Sequence, residues 1–174
     1  SKLKSIIKKN NKNKIFIIID TKLKYLLKKF KLDKNVTMLE IKASEKIKNF
    51  DNYKNLLNKM LSKNIDRNSI IIAIGGGTIG DLSGFVASTV LRGVKLILIP
   101  STLLSQVDSS IGGKNGINTR HGKNLIGSFY DPEEVFIDPS ILKTLPKREL
   151  KSGYAEIIKH ALIYDLKFFK WLEN

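Results

Sequence analysis

The stretch "SIIIAIGGGTIGDLSGFVAS", residues 69–88, decides how this chain folds. It opens with a short, β-branched apolar run at 69–74, of the kind that makes a strand buried on both faces. Gly75, Gly76 and Gly77 end that run, and an apolar helical pattern follows. Gly75, Gly77 and Gly80 satisfy G-x-G-x-x-G at a strand-to-helix turn. Glycines let backbone N–H groups come close to a ligand, and a helix N-terminus favours negative charge, so the pattern suits a phosphate. The same glycines also suit a tight turn with close packing, and the motif alone leaves both readings open.

A standard dinucleotide-binding turn follows the first strand and has an acid about 20 residues further on, at the end of the next strand. Here the turn follows the third strand, and the next one, "VKLILIP" (94–100), ends without an acid. An acid that holds a ribose must then come from earlier in the chain. Asp20 and Glu45, just beyond two earlier strands, are in position. Asp81, in the first turn of the glycine helix, can accept from a hydroxyl.

The earlier strands are "KIFIIID" (14–20) and "NVTMLEI" (35–41). Leu23, Leu26, Leu27 and Phe30 recur at helical spacing and predict a helix between them. Tyr53, Leu56, Leu57, Met60 and Leu61 predict another. Strands apolar on both faces, alternating with helices, call for an α/β fold: a Rossmann-like parallel sheet with helices on both faces. Residues 101–131 are rich in Ser, Gly, Asn and Asp, too long and polar for an ordinary connection, and read as a long functional loop. "VFIDPSIL" (135–142) returns to strand and turn. A boundary near Pro146 then separates a first domain, 1–146, from the start of a helical one, 147–174.

With 174 residues the chain can hold one domain with a core and the beginning of another. Hydrophobic residues at 42% and charged residues at 27% are ordinary for a globular protein. No apolar run approaches the roughly 18–20 residues that span a bilayer, and the opening residues do not read as a charged-apolar-small signal, so none is expected. The absence of cysteine excludes disulfides and thiolate metal sites, and a cytoplasmic location is expected. The net charge of +15 invites a nucleic-acid reading, yet only four of the 31 basic residues are arginines. Lysines alternate with Ile, Leu and Asn through residues 1–64 without a basic face of interleaved aromatics, so solvated lysine faces explain most of the charge.

Four segments read together, "GGGTIGDLSGFVAS", "RGVKLILIPSTLLSQVDSSIGGKNGIN", "GKNLIGSFYDP" and "TLPKRELKSGYAEIIKHALIYD", resemble the 3-dehydroquinate synthase family of the shikimate pathway. "ASEKIKNF" (43–50) is similar to a degraded form of that family's acidic "DGEKYK" segment. The resemblance implies conversion of 3-deoxy-D-arabino-heptulosonate 7-phosphate to 3-dehydroquinate with catalytic NAD and a zinc or cobalt ion. Transient oxidation of a hydroxyl acidifies the neighbouring C–H, phosphate is eliminated, the hydride returns, and aldol closure follows. It also implies a homodimer, and a chain about twice this length that begins with an additional N-terminal segment and ends in a helical domain; the present stretch looks like the N-terminal part without that segment, and is expected to be inactive alone.

Carried onto matching positions, the implied cofactor residues are Asp20, Glu45, Lys48, Gly76, Gly77, Thr78, Ile79, Gly80, Asp81, Ser101, Thr102, Lys114, Lys123, Ile141 and Thr144. Ser101 stands where the family usually has threonine, and the hydroxyl survives. Asp108, Lys114, Asn124 and Lys159 match the substrate-contacting group, and Arg92 the arginine that reaches the substrate phosphate across the dimer. Glu156 matches the carboxylate ligand of the metal, whose two histidine partners lie further downstream in the family. His160 follows Glu156 at i+4, a spacing that can share a metal, although the resemblance places the ligands elsewhere. Without the resemblance, Lys114 and Lys123 read as solvated lysines, and Lys159 as one half of a surface helix pair. A cyclase making another carbocycle, a metal-dependent polyol dehydrogenase and, last, a basic nucleic-acid-binding module are the rival readings.

Overall fold

Residues 2–28 and 32–173 are described by the structure, a computed structural model. In chain order the elements are α1 (Lys2–Lys9), β1 (Ile15–Asp20), β2 (Val36–Ile41), α2 (Phe50–Ser62), β3 (Ile70–Gly75), α3 (Gly77–Thr89), β4 (Lys95–Pro100), β5 (Lys114–Thr119), β6 (Gly122–Phe129), β7 (Glu134–Val135), α4 (Lys147–Tyr164) and α5 (Leu166–Leu172). Five strands form a parallel sheet in the order β2-β1-β3-β4-β7, and β5 and β6 form a separate antiparallel hairpin.

The isoleucine runs divide between the two faces of this sheet as alternation requires. Phe16, Ile18, Ile71, Ala73, Leu96 and Leu98 pack under α2 and α3, together with Ile117 of the hairpin. Ile15, Ile17, Ile19, Ile70, Ile72 and Ile74 face the other way, onto Leu3, Ile6 and Ile7 of α1 and onto Leu23 and Leu27. Each fully buried isoleucine of this kind stabilises the fold by about 1.5–3 kcal/mol. The sheet is thus covered on both faces, as the apolar strands require.

The strand order explains the displaced glycine turn. From β1 the chain steps to β2 on one side, then returns to β3 on the other. Ligands of open α/β sheets bind where the order reverses, outside the carboxyl ends of the strands. Here that crevice lies between Asp20 at the end of β1 and Gly75 at the end of β3. The third strand, not the first, therefore carries the glycine turn.

Three local expectations change. The segment after β1 is a 3₁₀ turn, Thr21–Leu26, rather than an α-helix; Asp20 caps it by accepting from the Lys22 N–H at 3.2 Å. Leu23 and Leu27 are its buried anchors, which a short i+3 turn already supplies; Phe30 lies outside the described residues. The helix α1 was hidden among its lysines. Residues 101–131 are not a long loop: a π-helical turn, Ser105–Ser109, leads into the β5–β6 hairpin. The hairpin lies on α3, where Gly84 makes room for Asn115; a Cβ on Gly84 would meet its Oδ1 at 1.6 Å. After Pro146, α4 rests on the π-helical turn and α5 packs on α4.

Candidate functional site

At the carboxyl ends of the parallel strands lies a cleft of about 950 Å³. Its floor is Gly76, Gly77 and Thr78 at the N-terminus of α3, a helix of 13 residues whose cap, Gly76, supplies no side-chain hydrogen bond. The first N–H groups of such a helix have no partner within it, and its dipole attracts an anion. The glycines sit close against neighbouring side chains. A Cβ on Gly76 would come to 3.0 Å from Thr102 Cγ2, and one on Gly77 to 2.8 Å from Ser109 Oγ.

Asp20, Glu45, Asp81, Ser101, Thr102, Ile141 and Thr144 line the same cleft. Strand ends set several of them: the Ser101 N–H donates to the Gly75 carbonyl at 2.9 Å, tying the end of β4 to β3. Thr102 and Ser105 cap each other, each backbone N–H donating to the other's hydroxyl at 3.0 and 3.1 Å. Of the remaining expected cofactor residues, Ile79 is fully buried beneath Gly75, so only its backbone can face a ligand. Gly80 lies one turn into α3 beside the glycines. Lys114 lines a different cavity, and Lys123 is exposed on β6 and lines none of the cavities described here.

Lys48 stands behind the cleft wall, with only 3% of its surface exposed. Its ammonium donates to Asp81 Oδ2 at 2.6 Å and to Asn124 Oδ1 at 2.5 Å, and lies 3.8 Å from Glu45 Oε1. Burial pushes the Asp81 carboxyl above its ordinary value; Lys48 opposes this, while Glu45 and Asp108 add to the rise.

A second cavity, of about 530 Å³, opens on the far side of Asp81. Asp108, Lys114 and Asn124 line it with Asp81, so three of the expected substrate residues meet there. Asp108 comes from the π-helical turn and the other two from the hairpin. Glu156 and His160 of α4 approach the same edge. One ligand atom each of Asp108, Glu156 and His160 lies within 4.8 Å of the others. Glu156 Oε1 also contacts the Lys159 ammonium and lies 3.2 Å from His160 Nε2. The hydrogen bond to Glu156, the largest influence on it, raises the pKa of the exposed Lys159. His121 is elsewhere, at the hairpin tip against Arg120. Arg92 is exposed, follows Leu91 in left-handed backbone, and lines neither cavity.

The family model for the 3-dehydroquinate synthase N-terminal region matches residues 38–152. The chain belongs to the 3-dehydroquinate synthase family. A 3-dehydroquinate synthase of Prochlorococcus marinus subsp. pastoris is 47% identical over 171 residues, 95% of this chain and 47% of that relative. The 2-epi-5-epi-valiolone synthase of Streptomyces hygroscopicus subsp. jinggangensis, solved with NAD+ and Zn2+ bound, superimposes with a TM-score of 0.84 at 30% identity, covering 94% of this chain and 48% of that one. A 2-deoxy-scyllo-inosose synthase complexed with carbaglucose-6-phosphate, NAD+ and Co2+ gives 0.79 at 30% identity over 92% of this chain and 47% of its own. The chain thus spans about half the length of the relatives it matches.

Sequence reasoning missed several residues of the site. Tyr25 lines the nucleotide-type cleft, and its hydroxyl lies 3.3 Å from Thr144 Oγ1. Arg148 and Glu149 line its outer edge. Asn118 joins Glu45 to the hairpin. No local pattern marks Tyr25 or Asn118; each acts through a partner more than 70 residues away.

Proposed function

We propose that this chain is the NAD-binding part of a 3-dehydroquinate synthase, a carbon–oxygen lyase that releases phosphate from 3-deoxy-D-arabino-heptulosonate 7-phosphate. The observation that carries this reading is the pair of adjoining cavities with Asp81 as a shared wall. One has the features of a dinucleotide cleft, the other gathers the polar residues that a sugar phosphate needs.

The residues fit the cofactor. Gly76 and Gly77 hold open the space that a pyrophosphate fills at the N-terminus of α3. Asp20, Glu45 and Asp81 can accept from ribose hydroxyls, and Ser101, Thr102 and Thr144 add hydroxyl contacts. Bound there, NAD supplies a reversible hydride acceptor, and a divalent ion supplies a Lewis acid toward the hydroxyl being oxidised. Glu156 is the residue proposed to hold that ion. Asp108 and His160 stand close enough to share it, and their oxygen and nitrogen donors suit zinc or cobalt.

In the second cavity, Lys114 supplies positive charge toward the substrate, and Asn124 and Asp108 can fix its hydroxyls. Lys159 lines neither cavity; paired with Glu156 at their edge, it is assigned the role of donating to a substrate oxygen. Arg92, exposed and outside both cavities, fits a role toward the phosphate bound by a second copy, as the homodimer reading requires. Identity to the synthase of Prochlorococcus at 47%, against 30% to the two cyclases that make other carbocycles, favours the synthase.

The test is release of inorganic phosphate from the heptulosonate phosphate by the full-length protein with NAD and zinc. The expected result is phosphate release that requires NAD but accumulates no NADH. Phosphate release without NAD, or none with it, would overturn the reading.

A further inference from the structure

The hairpin carries an irregularity at the site. Ile117 pairs with Ile126 and Thr119 with Gly122, so one residue of β5 faces three of β6. Such bulges bend a strand and re-aim a side chain, and they leave backbone groups without a ladder partner. Asn124 lies in this bulge with φ +56°, a left-handed conformation that asparagine tolerates better than most residues. Its side chain is thereby delivered to Lys48.

Asn118 is the single β5 residue opposite the bulge, and it uses three hydrogen-bonding groups there. Its Oδ1 accepts from the Asn124 N–H at 3.0 Å, satisfying the donor that the bulge removed from the ladder. Its Nδ2 donates to Glu45 Oε1 at 2.8 Å. Its backbone N–H donates to the Lys48 carbonyl at 2.7 Å. One residue therefore fixes the bulge on one side and the Glu45–Lys48 turn on the other.

We infer that Asn118 is a positioning residue that sets the register between the two cavities: its Oδ1 holds Asn124 for the sugar phosphate and its Nδ2 holds Glu45 for the dinucleotide. This rests on the reading of the two cavities proposed above. The two functions sit on different atoms of one amide, so they can be separated. Asn118→Asp keeps an oxygen toward the Asn124 N–H but sets a second carboxylate against Glu45. Asn118→Ala removes both.

The experiment measures, in the full-length protein, the NAD dissociation constant, the KM for the heptulosonate phosphate and hydrogen exchange of the 118–125 segment. Asn118→Ala should raise the NAD constant by about tenfold, the effect of one lost hydrogen bond to the Glu45 carboxylate, raise the KM by roughly fivefold through the lost neutral bond to the Asn124 N–H, and speed exchange at Asn124. Asn118→Asp should raise the NAD constant alone and leave exchange at Asn124 slow. In an Asn124→Ala background, Asn118→Ala should add nothing to the KM, because its effect on substrate passes through Asn124. Equal effects of Asp and Ala at position 118, or a full additional KM effect in the double variant, would overturn the inference. If Asn118→Ala does not fold, Asn118→Asp, which keeps the size of the side chain, decides alone. A wild-type protein that binds neither ligand refutes the proposed function instead, and exchange at Asn124 then still decides the role of Asn118: unchanged exchange in Asn118→Ala would refute it.

Discussion

The two cavities that share Asp81 are built by different means. The nucleotide-type cleft is built largely on backbone: two glycines, a helix N-terminus and the aligned ends of parallel strands. The neighbouring cavity is made by side chains that a hairpin and a π-helical turn hold in place. A backbone-built site tolerates drift in side chains, as Ser101 in place of the family's usual threonine illustrates. A side-chain-built site depends on every contact that aims its residues.

The largest expected effect comes from breaking the hairpin. A Cβ on Gly127 would meet the Asn115 carbonyl at 1.9 Å, backbone against backbone with no flexible end to yield. Gly127→Ala should cost about 3 kcal/mol, at the upper end for overpacking. Thermal unfolding should register that loss. In the full-length protein the KM for the sugar phosphate should rise far more than the NAD dissociation constant. Equal losses would mean that the two cavities are not separable.

Next is the buried ammonium in the wall between them. Lys48→Met leaves Asp81 partly buried without its cation, which should cost about 2 kcal/mol, discounted from a fully buried pair because a fifth of the Asp81 side chain remains exposed. Denaturant titration reads the loss.

Asp81 then gives two pH dependences of opposite sign. Its pKa is raised in the folded state, chiefly by burial, so the fold binds the proton more tightly than the unfolded chain does. Its contribution to stability is fully present below the ordinary carboxylate range and is lost as pH rises through the raised value. NAD affinity should run the other way, falling as acid removes the charge that accepts from a cofactor hydroxyl. Asp81→Asn should flatten both profiles over that range, seen in melting temperature and in titration calorimetry. The smallest effect is a control outside both cavities. Lys95→Ala removes an exposed ion pair with Glu133 and should change stability by less than about 0.5 kcal/mol.

The contrast between the cavities also accounts for what could be read in advance. Apolar runs such as 14–20 and 69–74 and the glycine turn are local signals, and the parallel sheet covered on both faces followed from them; the strand order did not. The hairpin was illegible because Lys114–Phe129 has few apolar residues to alternate; its burial comes from a fit of Asn115 against Gly84, too far back in the chain for a local window to hold. Helix α1 escaped because Leu3, Ile6 and Ile7 sit among lysines that extend into solvent. Asp108 was read as a substrate contact, and its closeness to Glu156 and His160 depends on α4 docking at Gly153, where a Cβ would come to 2.5 Å from the Leu104 nitrogen.

The central claim is that the N-terminus of α3 is a pyrophosphate seat kept open by its glycines. Titration calorimetry of NAD into the full-length protein and its Gly77→Val variant tests it most directly. A branched side chain at Gly77, where even a Cβ meets Ser109 Oγ at 2.8 Å, should fill the seat and weaken NAD binding by about a hundredfold or more, while the sheet stays folded. A folded Gly77→Val protein that binds NAD as tightly as the parent would contradict the account.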